Sequence, residues 1–397
     1  MPINTILFLV QSPFSQRDYE RFGLDILHEN GFRVAVWDLT PCLRPQAFKN
    51  TVVPDPVDFN GLRLQKSKAD VIAALRSLDR DTFIIAMIPL ELQTLAIFRE
   101  VSRRHIRYGL KTGRTVPDAK GVKIRSRLKD RLRTMCFETL ANRLLHEIPL
   151  KWLRIEPAWI LMYSGSEQPD QLTSKGQTPN NGRYVQIPSL DHDLFLKLDG
   201  EQTRLANEEP GICVFLDEYL PFHPDRHHLG IPPLTHPDDY FPVLCKLFAM
   251  IERNLGLEVV IAAHPRSNYE NGPDYFDGRR IERGKTAELV RKGQFVITHA
   301  STSLAFAVLF AIPALFVTTD PLKKTINGAW IENFANAMGK KPYNLSRPYR
   351  IDWDQELVVD QAKYNHYEQR FIRAAGVPAK PSWQIIADAL KQETGRR

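Results

Sequence analysis

The chain has 397 residues, 43% hydrophobic and 25% charged, with a formal net charge of +7. At roughly 150 residues per domain this length calls for two or three domains, and the composition is that of an ordinary globular protein. No apolar run approaches the ~18 residues of a membrane span. Met1-Pro2-Ile3-Asn4-Thr5 also lacks the basic start of a signal peptide, so a cytoplasmic location is expected.

In chain order, Thr5 to Val10 is an apolar run that predicts a buried first strand. Helical periodicity follows from Gln16 to Asn30 through Phe22, Leu24, Ile26 and Leu27, with Gly31 as its stop. Ser15 and Asp18 fit a capping box; Asp18, near the end of that first strand, is also a candidate catalytic base. Arg17 and Arg21 are candidates for meeting an anionic acceptor. Arg33 to Leu39, Thr82 to Ile88, Ala158 to Tyr163 and Tyr184 to Leu190 read as further strands. Ala69 to Leu78 and Leu90 to Arg103 read as helices. Strand–helix alternation of this kind implies a parallel sheet covered on both faces.

The charge is unevenly spread. Residues 1–195 hold 28 Lys and Arg against 21 Asp and Glu, and the remainder is balanced. Most of the excess lies from Arg103 to Arg133, a basic stretch able to attract nucleic acid, anionic lipid or an acidic polymer. No nucleic-acid module accompanies it, so contact with the inner face of the cytoplasmic membrane is the expectation. The four cysteines, Cys42, Cys136, Cys213 and Cys245, have no metal or redox spacing.

Near residue 200 the texture turns polar and loose, which places a boundary between residues 1–200 and 201–375. The alternation then restarts. Gly211 to Leu216, Leu257 to Ala263, Gln294 to Thr298 and Ala314 to Thr318 read as strands. Tyr240 to Leu255, Glu288 to Lys292 and Ser303 to Phe310 read as helices. Residues 376–397 hold a terminal helix, Trp383 to Gln392, expected to pack back on the first domain. The fold class is therefore α/β: two Rossmann-like, doubly wound domains facing a cleft, with ligands at the carboxyl ends of the strands.

Three strand ends of the second half carry chemistry. Asp217 and Glu218 leave the strand ending at Leu216, and a carboxylate there suits a general base or nucleophile. His264 and Pro265 end the next strand, followed by Arg266; the residue before a proline is held extended, so the imidazole is aimed. Ser301, Thr302 and Ser303 open an apolar helix whose free amides and dipole would favour an anion. Capping needs one hydroxyl of the three.

This series resembles the donor half of GT-B glycosyltransferases. It is most similar to the bacterial sialyltransferases and Kdo transferases that use CMP-activated acidic sugars. The resemblance covers about residues 211–318 and implies that His264, Ser301, Thr302 and Ser303 bind the donor phosphate; Pro265 and Arg266 are counted with them as donor-site residues. It also implies that the acidic pair Asp217-Glu218 supplies the catalytic carboxylate. Tyr219 stands where the sialyltransferase motif has Gly, and Ala305 and Ala307 stand where many UDP-sugar enzymes place a ribose-binding Glu. The expectation is a metal-independent glycosyltransferase without a resident cofactor. Its co-substrate would be a CMP-linked sugar and its acceptor a surface glycan or glycolipid, as in lipopolysaccharide or capsule synthesis. Alternatives are a CDP-polyol phosphotransferase, a sugar-nucleotide epimerase, or a non-catalytic nucleotide-sugar-binding protein.

Overall fold

A computed structural model describes residues 2–50, 55–113, 116–117, 137–167, 183–200, 211–223, 226 and 232–395. The chain forms two compact units. Unit 1 comprises residues 1–114, 127–193 and 375–397, and unit 2 comprises residues 115–126 and 194–374. Each is built on one parallel sheet.

The sheet of unit 1 contains β1 (Thr5–Val10), β2 (Arg33–Asp38), β3 (Leu62–Leu64), β4 (Thr82–Ala86), β5 (Arg107–Gly113), β6 (Ile160–Ser164) and β7 (Tyr184–Gln186). Their order is β3-β2-β1-β4-β5-β6-β7. Five of the six residues of β1 and all of β4 are buried, because helices cover both faces and leave no side for water. One face carries Leu7, Leu9, Ile84, Ile97 and Val101. The other carries Ile6, Phe8, Phe83, Met162 and the terminal-helix residues Trp383 and Ile386.

Unit 2 repeats the plan with β8 (Ile212–Leu216), β9 (Glu258–Ala263), β10 (Ile281–Arg283), β11 (Gly293–Thr298), β12 (Ala314–Thr318) and β13 (Tyr343–Asn344), ordered β10-β9-β8-β11-β12-β13. β8 and β12 are buried throughout, with apolar side chains on both faces. The strand order reverses at β1/β4 in unit 1 and at β8/β11 in unit 2. Those are the topological switch points where doubly wound sheets open a crevice at their carboxyl ends.

Two expectations about elements are corrected. The single helix from Gln16 to Asn30 is two, Gln16–Arg21 and Leu24–Glu29, hinged at Gly23 with φ +56°. A Cβ on Gly23 would sit 2.5 Å from the Trp383 ring, so the glycine both turns the chain and admits the indole. The seven-residue β5 has no counterpart among the strands expected from sequence, since Arg-Tyr-Gly-Leu-Lys-Thr-Gly lacks an apolar run. Residues 118–133, most of the basic stretch, lie outside the described residues. Among the described residues no helix is long and apolar enough to cross a membrane.

Candidate functional site

The switch point of unit 2 gathers the motif residues. β8 delivers Asp217 as the first residue beyond its buried run, at 5% exposure. Its carboxylate is committed inside the protein. Oδ1 accepts the Tyr219 amide at 2.9 Å. Oδ2 accepts the His264 amide at 3.2 Å and the Tyr269 hydroxyl at 3.0 Å. Burial pushes Asp217 up to about 6 against these hydrogen bonds. Asp217 thus ties the ends of β8 and β9 together.

Glu218 points across the sheet instead. It is half-buried and accepts the Ala300 amide at 2.7 Å, linking β8 to the turn after β11 over the switch point itself. Burial, followed by the Asp217 charge, raises its carboxyl to about 7, while the Ala300 amide opposes the shift. A carboxyl that titrates near neutrality at a crevice is suited to taking and returning a proton.

His264 is half-buried. Its Nδ1 accepts the Arg266 amide at 3.1 Å, so the ring in its neutral form carries its proton on Nε2. The ring lies parallel to Tyr219, centroids 6.4 Å apart, and 5.4 Å from the His223 ring. Tyr219 has φ +53° and ψ 35°, the left-handed conformation, which costs a non-glycine residue roughly 1–2 kcal/mol. Arg266 is exposed beside this turn.

The Ser301-Thr302-Ser303 turn differs from its expectation in one respect. The amides of Leu304, Ala305 and Phe306 bond back to the carbonyls of Ser301, Thr302 and Ser303 at 3.1, 3.2 and 3.0 Å. The helix that follows, Leu304–Leu309, has six residues. These three amides are consumed in a tight turn and offer no anion cradle. Ser301 is buried, and its hydroxyl caps the Ser303 amide at 3.3 Å. Thr302 is exposed and Ser303 half-buried.

Other groups were not singled out from sequence. His299 is fully buried, with Nδ1 2.7 Å from the Val317 carbonyl and Nε2 2.9 Å from the Tyr240 hydroxyl. Burial lowers it to about 4, so it is a neutral core histidine. Tyr269 had no sequence signal. His223 had one, since His223-Pro224 repeats the dipeptide at 264–265.

In unit 1, Asp18 closes the capping box. Its Oδ2 accepts the Ser15 hydroxyl at 2.9 Å and the Ser15 amide at 3.3 Å, so this carboxylate holds the start of a helix. Arg17 is exposed, and Arg21 lies 3.6 Å from Asp191. Among the described residues no cluster of three His, Cys, Asp or Glu side chains is arranged to hold a metal.

No family profile matches the sequence, and no curated protein matches it. Solved structures match over its full length. The wall teichoic acid polymerase TagF superposes with a TM-score of 0.56 at 13% identity, covering 100% of this chain and 90% of that one. The calicheamicin glycosyltransferase CalG4 gives 0.53 at 12% identity, covering 100% of this chain and 99% of that one. The fold is accordingly that of the GT-B glycosyltransferases, with two Rossmann-like domains.

Proposed function

We propose that the chain is a glycosyltransferase that moves an acidic sugar, of the Kdo or sialic-acid kind, from a CMP-linked donor to a surface glycan. The observation that carries this reading is the Glu218–Ala300 bond across the β8/β11 switch point, beside the aimed His264. His264 Nε2 and the hydroxyls of Thr302 and Ser303 hold the donor phosphate and offset the charge that builds on it. Glu218 takes the proton of the acceptor hydroxyl as its oxygen attacks the anomeric carbon. The carbon–phosphate-oxygen bond breaks, and CMP leaves with the electron pair. Asp217 is a positioning residue that fixes the His264 backbone. Unit 1 binds the acceptor, on the cytoplasmic side of the membrane, and the basic residues 103–133 meet the lipid surface. No metal takes part.

The likeness to TagF, which has been solved after a soak with CDPG, supports a second reading in which a CDP-linked polyol is the donor. There the acceptor oxygen attacks the outer phosphorus and CMP again leaves, so the same grip serves. Products separate the two: a new phosphodiester signal in phosphorus NMR belongs to the second reading, and a phosphorus-free glycoside to the first.

The test is CMP release with CMP-linked sugars and a glycan acceptor. His264→Ala is expected to cut kcat on the order of a hundredfold, by analogy with the loss of an electrostatic donor. Near-normal turnover in that variant contradicts the assignment. Turnover is also expected to persist in EDTA, and its abolition there would refute metal independence.

A further inference from the structure

Two buried titratable side chains of unit 2, Tyr240 and His299, have no part in the donor grip. Tyr240 lies in the first turn of the helix Pro237–Leu255, and His299 is the first residue beyond β11. Both are fully buried. The Val317 carbonyl, 2.7 Å from Nδ1 of His299, can only accept, so Nδ1 carries a proton. The ring is neutral, since burial lowers it to about 4, and its Nε2 therefore accepts from the Tyr240 hydroxyl at 2.9 Å. One chain of hydrogen bonds thus runs from the helix, through the residue after β11, to β12. The imidazole also packs against two rings. Phe215 of β8 meets it edge-on with centroids 5.9 Å apart, and the Tyr240 ring lies 5.5 Å away.

The next residue in the chain is Ala300, whose amide bonds Glu218 at 2.7 Å. Keeping that amide in place against the carboxylate requires the turn that carries it to be fixed. One tie lies at the start of the turn, where the Thr298 hydroxyl accepts the Ser301 amide at 3.3 Å. His299 is the stiffer anchor, with both ring nitrogens engaged. Stability alone is a poor account of the Tyr240–His299 pair. Replacing both partners of a buried hydrogen bond by apolar groups of the same shape is often nearly neutral, and apolar side chains already fill the surrounding core. What an apolar pair does not supply is a fixed direction for the turn, which a satisfied polar network does.

We propose that Tyr240 and His299 are positioning residues: the Tyr240–His299–Val317 chain holds the turn after β11 so that the Ala300 amide meets Glu218 and favours its ionised form. A hydrogen bond to a carboxylate lowers its pKa, so loosening the turn raises that of Glu218. Several groups bear on this carboxyl. Asp217 of the same strand end opposes its ionisation, and the Ala300 and His299 amides at the β11 end favour it. From the β9 side, the His264 amide and the Tyr269 hydroxyl bind Asp217. From the helix, Tyr240 stays neutral, because burial, followed by the charges of Asp217 and Glu218, holds its hydroxyl well above the usual tyrosine range. The consequence for turnover rests on the transferase reading with Glu218 as base; the effect on Glu218 itself does not.

The test follows the Glu218 carboxyl by carbon NMR titration of the full chain labelled in its glutamate side chains, with Glu218→Gln identifying the signal. Tyr240→Phe, which removes one oxygen, is expected to raise that titration by about half a pH unit. His299→Leu should raise it further. His299→Asn, whose amide N–H can still reach the Val317 carbonyl, should raise it less than His299→Leu does. The low-pH limb of kcat/KM should move by the same amount in each variant. A purely structural role would lower the melting temperature and leave the titration in place. A titration that is unmoved or lowered in Tyr240→Phe, or that moves as far in His299→Asn as in His299→Leu, overturns the proposal. A titration that moves while the kinetic limb stays put upholds the positioning and refutes Glu218 as the base, which separates the two failures.

Discussion

At the scale of single residues, the site divides labour between adjacent carboxylates. Side chains of neighbouring residues leave an extended segment in opposite directions. Asp217 turns into the protein to bind Tyr219, His264 and Tyr269, and Glu218 turns to the β11 end. Glu218 at about 7 predicts that kcat/KM rises with pH through that value and levels above it, as the base loses its proton. Glu218→Gln should abolish this limb along with most of the rate; an unchanged pH profile in the variant would refute the role. The stability sign is opposite. A carboxyl raised from 4.5 binds its proton more tightly when folded, so its contribution is complete below 4.5 and is lost as pH rises through about 7. Asp217→Ala strands the Tyr269 hydroxyl and the His264 amide, and each unmet buried group costs about 1–3 kcal/mol. Chemical denaturation should register that loss, whereas Glu218→Gln should cost less. Tyr219 holds a left-handed backbone, one that glycine adopts freely.

At the scale of elements, the strand ends were legible and the element breaks were not. His264 was readable because four buried apolar residues, Val259 to Ala262, lead into Ala263 and a proline follows the histidine. Gly23 was not readable as a break, because its cause lies 360 residues away in sequence, in the Trp383 ring. Trp383 is 1% exposed, packs edge-on to Phe8 with centroids 5.2 Å apart, and donates its indole N–H to the Arg21 carbonyl at 2.9 Å. Trp383→Ala should therefore destabilise the protein by about 3–5 kcal/mol, measured by denaturant unfolding. A loss under 1 kcal/mol would mean that the terminal helix is dispensable to unit 1. The Ser301–Ser303 turn was half legible. Sequence showed surplus hydroxyls, but nothing local revealed that the amides of Leu304, Ala305 and Phe306 would close on the turn carbonyls.

At the scale of the whole molecule, repeated alternation of strand and helix was enough to give two doubly wound units, since period and order survive small errors in each boundary. β5 escaped because a strand that carries Lys111 between glycines breaks the apolar pattern that identifies buried strands. In the proposed function the β8/β11 crevice of unit 2 grips the phosphate of a cytidine nucleotide. A thermal-shift comparison of CMP, CDP, UDP and GDP tests it most directly, because a ligand that binds only the folded state raises stability with the logarithm of its saturation. CMP is expected to give the largest shift, and His264→Ala is expected to erase it. A larger shift with UDP or GDP, or a CMP shift that survives His264→Ala, would contradict the claim.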